Sequence, residues 1–145
     1  VKIFDDDQTF TLGKGTMIKE GKDVTIIASG ILVAEAVKAA EALKNEGIDA
    51  EVINIHTIKP LDEEMVIASA KKTGAVVTAE NHSVIGALGG AVTECLSENY
   101  PVPVRRVGVN DHFGEVGLTD FLMEKYGLTA EHIVEEAKKA ISMKK

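Results

Sequence analysis

The sequence has few of the residues that characterise disulfide-rich, membrane-spanning or disordered proteins. It contains a single cysteine, Cys95, so neither an internal disulfide nor a metal site built from several thiolates can form. Only 3 prolines occur and hydrophobic residues make up 45% of the chain, which excludes low complexity. No apolar run approaches the roughly 20 residues needed to cross a bilayer, and no charged-then-apolar leader opens the chain. These absences predict a soluble, cytoplasmic protein with no membrane partner.

Basic residues are also fewer than acidic residues. The chain carries 16 lysines and arginines against 23 acidic residues, a formal charge of −7. Duplex nucleic acid is bound through clustered basic side chains, so no nucleic-acid partner is predicted. The 145 residues suit one domain of ordinary size.

Short β-branched runs alternate along the chain with longer amphipathic stretches. Asp62 has the position of a helix N-cap and Gly74 that of a C-terminal stop. Two further helices are predicted at the end of the chain, at Thr119–Tyr126 and from Thr129 to about Met143. Strands that alternate with helices need long crossovers, which predicts a parallel sheet covered on both faces. The predicted strands are Asp23–Ala28, Glu51–Ile55, Ala75–Ala79 and Pro103–Val107.

Residues 1–22 have a different character. Gly13 and Gly15 separate the apolar residues of this segment, which suits a short lead-in followed by an edge strand, one that can run antiparallel. We therefore expect one domain over 1–145, with 1–15 as a lead-in or linker and 16–145 as an α/β core.

The first candidate site follows the third strand, where open α/β sheets usually bind ligands. Backbone N–H groups at the start of the next helix can hold an anion, to which His82 can donate. The alternative is that the glycines let helix and strand approach closely while the polar side chains cap the helix. The spacing matches neither GxGxxG nor a phosphate loop, so nucleotide binding is weakly supported. The residues concerned are Glu80, Asn81, His82, Ser83, Gly86 and Gly89.

The second candidate follows the fourth strand and consists of Asp111, His112, Phe113 and Glu115. These residue types can ligate a metal or act as an acid–base pair. No second ligand cluster accompanies them, so no metal site is predicted. A contact between domains or subunits, with Phe113 as an apolar anchor, is the favoured interpretation.

The third candidate closes the second strand and consists of His56 and Lys59. These side chains can reach a ligand shared with His82 if their two strands are neighbours in the sheet. The alternative is a hydrogen-bonded loop histidine beside a solvated lysine.

Four motifs along the chain, in the order in which they occur, resemble the C-terminal domain of transketolases. The resemblance runs from about Phe10 to Ala140. It is closest to the split, two-subunit type. The sequence departs from the family pattern at Asn81, Ala87 and Val116, where a second acid, a glycine and a serine are frequent. The motifs are Glu20–Gly30, Thr57–Glu64, Val77–His82 with its glycines, and Asp111–Glu115.

The resemblance implies a three-layer α/β/α fold with a five-stranded mixed sheet, four strands parallel and the first, edge strand antiparallel. It implies a holoenzyme of the pentose phosphate pathway that transfers a two-carbon ketol unit from a ketose phosphate to an aldose phosphate. Thiamine diphosphate and Mg²⁺ would be bound by other domains, and the GDG motif that holds them in the family is missing from this chain. The domain itself would carry no catalytic, cofactor-binding or metal-binding residue.

The same resemblance implies partners. They are the other transketolase domains or subunit, together with a second copy in a homodimer, and the isolated domain would be inactive. Two other interpretations stay open. One is the equivalent domain of deoxyxylulose-phosphate synthase or of a 2-oxo-acid dehydrogenase beta subunit, where it docks a partner. The other is an autonomous, flavodoxin-like module that binds a small anion.

Overall fold

A computed structural model describes residues 13–83, 88–109 and 128–144 of the chain. The predicted helix Thr119–Tyr126, the second candidate site and Gly86 lie outside the described residues. The side chains of His82 and Ser83 lie outside them as well. Within the described ranges, no helix combines the length and the apolar character needed to span a membrane.

Five strands form one mixed sheet in the order β1-β3-β2-β4-β5. Strand β1 pairs with β3 antiparallel at one edge, and the remaining pairs are parallel. This architecture confirms the fold that the sequence indicated. The strands are β1 (Thr16–Lys19), β2 (Val24–Ala28), β3 (Ala50–Asn54), β4 (Val76–Ser83) and β5 (Val104–Val109). The described helices are α1 (Leu32–Lys44), α2 (Glu63–Thr73), α3 (Leu88–Asn99) and α4 (Ala130–Ser142).

The helices cover the two faces of the sheet in pairs. Ile26 packs in a cluster with apolar residues of α1 and α4, whereas its neighbour Ile27 packs with residues of α2 and α3. Successive strand residues point to opposite faces, so a strand buried on both sides is apolar nearly throughout. All five residues of β2 are accordingly buried.

Helix α2 begins and ends where the sequence predicts. The Asp62 carboxylate accepts a hydrogen bond from the Met65 amide at 3.2 Å, and Gly74 ends the helix in the left-handed conformation, with φ of 76°. The second oxygen of Asp62 accepts from the Gly15 amide at 2.9 Å. One carboxylate therefore caps α2 and also fixes the chain just before β1.

Strand β4 is longer than predicted, because it runs to Ser83 instead of ending at Ala79. Its pairing with β5 shifts register between Ala79 and Ser83 and resumes with Ser83 opposite Val109. The prediction that Glu80 follows the strand was wrong. Backbone pairing does not need apolar side chains, and a bulge lets polar residues stay in the ladder.

Candidate functional site

The carboxylate of Glu80 occupies the N-terminus of α3. Glu80 is 1% exposed, and its two oxygens accept hydrogen bonds from the amides of Leu88 at 2.9 Å and Gly89 at 2.6 Å. The first amides of a helix lack partners within the helix, and its dipole favours a negative charge there. The anion that the sequence suggested for these amides is therefore supplied by the chain itself. The signal for this was an acidic residue in a buried strand just before a glycine-rich helix start.

Gly89 allows α3 to lie close to the sheet. A Cβ atom at this position would lie 2.9 Å from Cδ of Arg106 and 3.0 Å from Oγ1 of Thr78. Both distances are shorter than normal contacts, so a side chain here would force Arg106 and Thr78 to shift. Glu80 thus caps α3, and Gly89 lets α3 and the strands approach closely, as in the alternative that gave these residues a packing and capping role.

Asn81 follows Glu80 in β4 and, unlike Glu80, is exposed. Its Oδ1 lies 3.6 Å from the position that a Cβ on Gly30 would take. Gly30 follows β2 and has a positive φ of 57°. The ends of two neighbouring parallel strands thus meet at this edge of the sheet.

His56 and Lys59 are both exposed, at the end of β3 and in the loop beyond it. Strand β2 lies between β3 and β4, so the strands that carry His56 and His82 are not neighbours. The condition for a ligand shared by these residues is therefore not met. The order of strands in the sheet depends on contacts between distant parts of the chain, so the alternation of strand and helix segments in the sequence did not reveal it.

Lys59 instead borders a groove between α3 and the segment that leads into α2, which we call the acidic groove. It encloses about 440 Å³. Burial raises the pKa of the Cys95 thiol to about 11, and the Glu63 carboxylate beside it acts in the same direction. The thiol is thus protonated at neutral pH and is not an activated nucleophile. The groove is lined by Ile58, Lys59, Leu61, Glu63, Gly90, Ala91, Glu94, Cys95 and Glu98.

A polar network that the sequence analysis missed lies between the sheet and α2. The fully buried carboxylate of Glu51 accepts from Ser69 Oγ at 2.5 Å and from the Gly21 amide at 3.1 Å, and it pairs with the ammonium of Lys72. Ser69 Oγ also lies 2.6 Å from Oγ1 of Thr25.

The ionic partner of Glu51 is only partly shielded from water. The hydrogen bond to Glu51 raises the pKa of Lys72, whose side chain is 41% exposed. Both oxygens of the Glu51 carboxylate are engaged. The network therefore ties β3, α2 and the β1–β2 turn together, and its carboxylate is not available to a ligand.

The architecture defines a class of protein: a three-layer α/β/α domain whose parallel sheet is extended by one antiparallel edge strand. Within this class the particular family is shown by comparison with known proteins. The chain belongs to the family "Transketolase, C-terminal domain", which matches residues 13–133.

Relatives of known description agree with this assignment. The chain is 65% identical over 137 residues to the 6-deoxy-6-sulfo-D-fructose transketolase subunit SqwH of Clostridium sp. strain MSTE9, covering 94% of this chain and 42% of that protein. It is 41% identical over 131 residues to the 1-deoxy-D-xylulose-5-phosphate synthase of Heliobacterium modesticaldum, covering 90% of this chain and 20% of that protein.

A solved structure supports the assignment further. The structure described as "Split gene transketolase, inactive beta4 tetramer" has a TM-score of 0.94 and 54% sequence identity, over 100% of this chain and 47% of that chain. The chain thus spans less than half the length of the relatives it matches.

The diphosphate of the thiamine diphosphate that the family implies does not fit at the N-terminus of α3. A diphosphate at the N-terminus of α3 would have to displace the buried carboxylate of Glu80 from the amides of Leu88 and Gly89. In the same ranges, no group of three or more histidine, cysteine, aspartate or glutamate side chains is placed to hold a metal ion.

Proposed function

We propose that this chain is the C-terminal domain of one subunit of a split transketolase. The observation that carries the proposal is the 65% identity, over 94% of the chain, to a protein described as a transketolase subunit. The whole enzyme would be a transferase that moves a two-carbon ketol unit from a ketose phosphate to an aldose phosphate. Thiamine diphosphate and Mg²⁺ would supply the carbanion chemistry on the other domains.

In this proposal the domain is a structural and assembly unit. The buried acidic groups that the sequence or the structure draws attention to, Glu80 and Glu51, have their hydrogen bonds satisfied within the domain. Carboxylates held in this way act in packing and helix capping, which supports a structural role for this part of the chain. The proposed partners are the complementary subunit and a second copy of this subunit, in the cytoplasm.

The reaction is tested with the subunit that carries this chain, mixed with its complementary subunit, thiamine diphosphate and Mg²⁺. One related subunit is named for 6-deoxy-6-sulfo-D-fructose, so this ketose and a ketose phosphate are offered as alternative donors. Ketol transfer is expected only from the mixture. The isolated chain is expected to transfer nothing and to bind no cofactor in calorimetry, and either activity or binding by it alone would contradict the proposal.

The contact role proposed for the loop after β5 is tested with Phe113→Ala. If Phe113 anchors a neighbouring domain, the variant should assemble less tightly while the melting temperature of the isolated chain changes by less than about 2 °C. A large fall in the melting temperature would place Phe113 in the core of this domain instead.

A second candidate is the equivalent domain of a deoxyxylulose-phosphate synthase, favoured by the 41% identity to the Heliobacterium enzyme. The Asp-x-Phe-Gly-Glu-x-Gly motif at 111–117 favours the transketolase assignment. An assay with pyruvate and glyceraldehyde 3-phosphate separates the two. For the autonomous anion-binding module the support is weaker, because Glu80 already holds the amides that an anion would need.

A further inference from the structure

The acidic groove carries negative charge without matching cations. Glu63, Glu94 and Glu98 are exposed at its rim, and none of them takes part in the ion pairs between described residues. Elsewhere in the described chain, carboxylates such as Glu46 and Glu136 pair with lysine or arginine. The single cation at the rim, Lys59, leaves the groove with an excess of negative charge.

The floor of the groove is apolar. Ile58 and Leu61 are half-buried there against the core cluster of α2 and α3. Gly90 lies on the α3 side, and among the described residues no atom outside the neighbouring backbone of α3 lies within 4 Å of the position its Cβ would take. Glycine weakens a helix relative to alanine, and whereas Gly89 has a packing reason, no contact with the residues that the structure describes explains Gly90. A glycine of this kind is typical of a surface that another backbone approaches closely.

We propose that the acidic groove docks a lysine- or arginine-bearing segment of the complementary subunit. This inference rests on the proposed function, because it takes the split enzyme as the assembly. Long basic side chains lay their aliphatic stems on apolar surface and keep their charged heads among carboxylates, which matches the apolar floor and acidic rim. A second copy of this chain is the less complementary occupant of the groove, because an acidic rim favours a basic segment and this chain has 23 acidic against 16 basic residues.

The steric part of the inference is tested with Gly90→Leu in the complete subunit. The new side chain has open space, and leucine favours the helix, so the melting temperature should stay the same or rise. The dissociation constant for the complementary subunit, measured by calorimetry, should increase at least about tenfold. Ala42→Leu is the matched control, since Ala42 is an exposed helix residue on α1, and this variant should bind like the wild type.

The electrostatic part is tested with Glu94→Lys against the control Glu41→Lys, an equal charge change on exposed α1. Glu94→Lys should weaken binding at least about tenfold in 50 mM salt, and the difference from wild type should shrink in high salt because surface charges are screened. Glu41→Lys should change binding less than about twofold.

The outcomes separate this inference from the proposed function. If the wild-type subunits assemble into an active transferase and both groove variants bind like the wild type, the groove does not dock the partner and only this inference is overturned. If the variants instead abolish self-association while their affinity for the complementary subunit is unchanged, the occupant is a second copy and the inference is again wrong. Failure of the wild-type subunits to assemble overturns both.

Discussion

The buried carboxylate of Glu80 takes the place of an external anion at the start of α3, and Glu80→Gln tests this arrangement. Glutamine has the same shape but offers one acceptor oxygen instead of two. One of the two amides, that of Leu88 or Gly89, would then face an NH₂ group with no acceptor. The side chain has no room to turn away, because Glu80 is 1% exposed.

The size of the effect follows from these contacts. Loss of a hydrogen bond to a charged acceptor costs about 1.5–3 kcal/mol, and loss of a negative charge at a helix N-terminus adds about 0.3–1 kcal/mol. We therefore expect Glu80→Gln to lower the free energy of unfolding by about 2–4 kcal/mol. For a chain of this size that corresponds to a fall of roughly 5–15 °C in melting temperature.

Urea unfolding followed by far-ultraviolet circular dichroism measures the change. Glu41→Gln is the control, because Glu41 is exposed on α1 and its replacement should change stability by less than about 0.5 kcal/mol. If Glu80→Gln were equally mild, the two short hydrogen bonds would contribute nothing and the argument for an internal anion would be refuted.

The same site gives a second readout. In Glu80→Ala the amides of Leu88 and Gly89 lose their acceptor, so added sulfate should raise the melting temperature of this variant by ligand linkage. The wild-type chain should show no comparable response to sulfate, because its own carboxylate holds both amides. A specific sulfate response in the wild type would restore the anion site that the sequence suggested.

Three further predictions concern stability. Burial acts to raise the pKa of Glu136, but the hydrogen bonds from Lys139 and Arg105 outweigh it and hold that pKa below its ordinary value of 4.5. The stability that these bonds provide is therefore present at pH 7 and is lost progressively as the pH falls from 4.5 through the pKa of the folded state. Glu136→Gln should lose about 1–2 kcal/mol at pH 7 and less at pH 3.5 in urea titrations, and an equal loss at both would contradict this. Gly21→Ala would place a Cβ 2.3 Å from the carbonyl carbon of Ala50, so we expect a loss of at least about 2–3 kcal/mol, and a melting temperature like the wild type's would disprove the close approach. Ser69→Ala leaves buried Glu51 one donor short and should cost about 1–3 kcal/mol by the same titration, whereas a neutral outcome would show that the bond has no net value.

Much of the fold could be predicted from local patterns. Strand β2 was recognisable as an apolar run, and α2 was bounded correctly because an aspartate cap and a left-handed glycine are local signals. A helix from Thr129 to about Met143 was also predicted, and α4 begins there, with the Thr129 hydroxyl accepting from the His132 amide at 3.4 Å. Such features depend on neighbours along the chain, so the sequence carries them directly.

The candidate site was less predictable because its partners are distant in sequence. Glu80 meets amides eight and nine residues further on, and the strand order that separates β3 from β4 is decided by the whole sheet. The buried network was missed for two reasons. Glu51 is the first residue of the predicted strand, a position where a solvated acid is common. Its hydrogen-bond donors lie far from it in sequence, on α2 and at Gly21. Hydrogen bonds of this kind appear only when the elements are placed in space.

The central position of β2 has a consequence for how the chain is made in the cell. Thr25 pairs with Val76, so one side of β2 stays unpaired until about 50 further residues have left the ribosome. At about 5–20 residues per second, this wait lasts roughly 3–10 s. For that time a five-residue segment that is entirely buried in the native sheet is open to other chains. Nascent-chain protection by a chaperone should therefore matter most between the synthesis of β2 and that of β4.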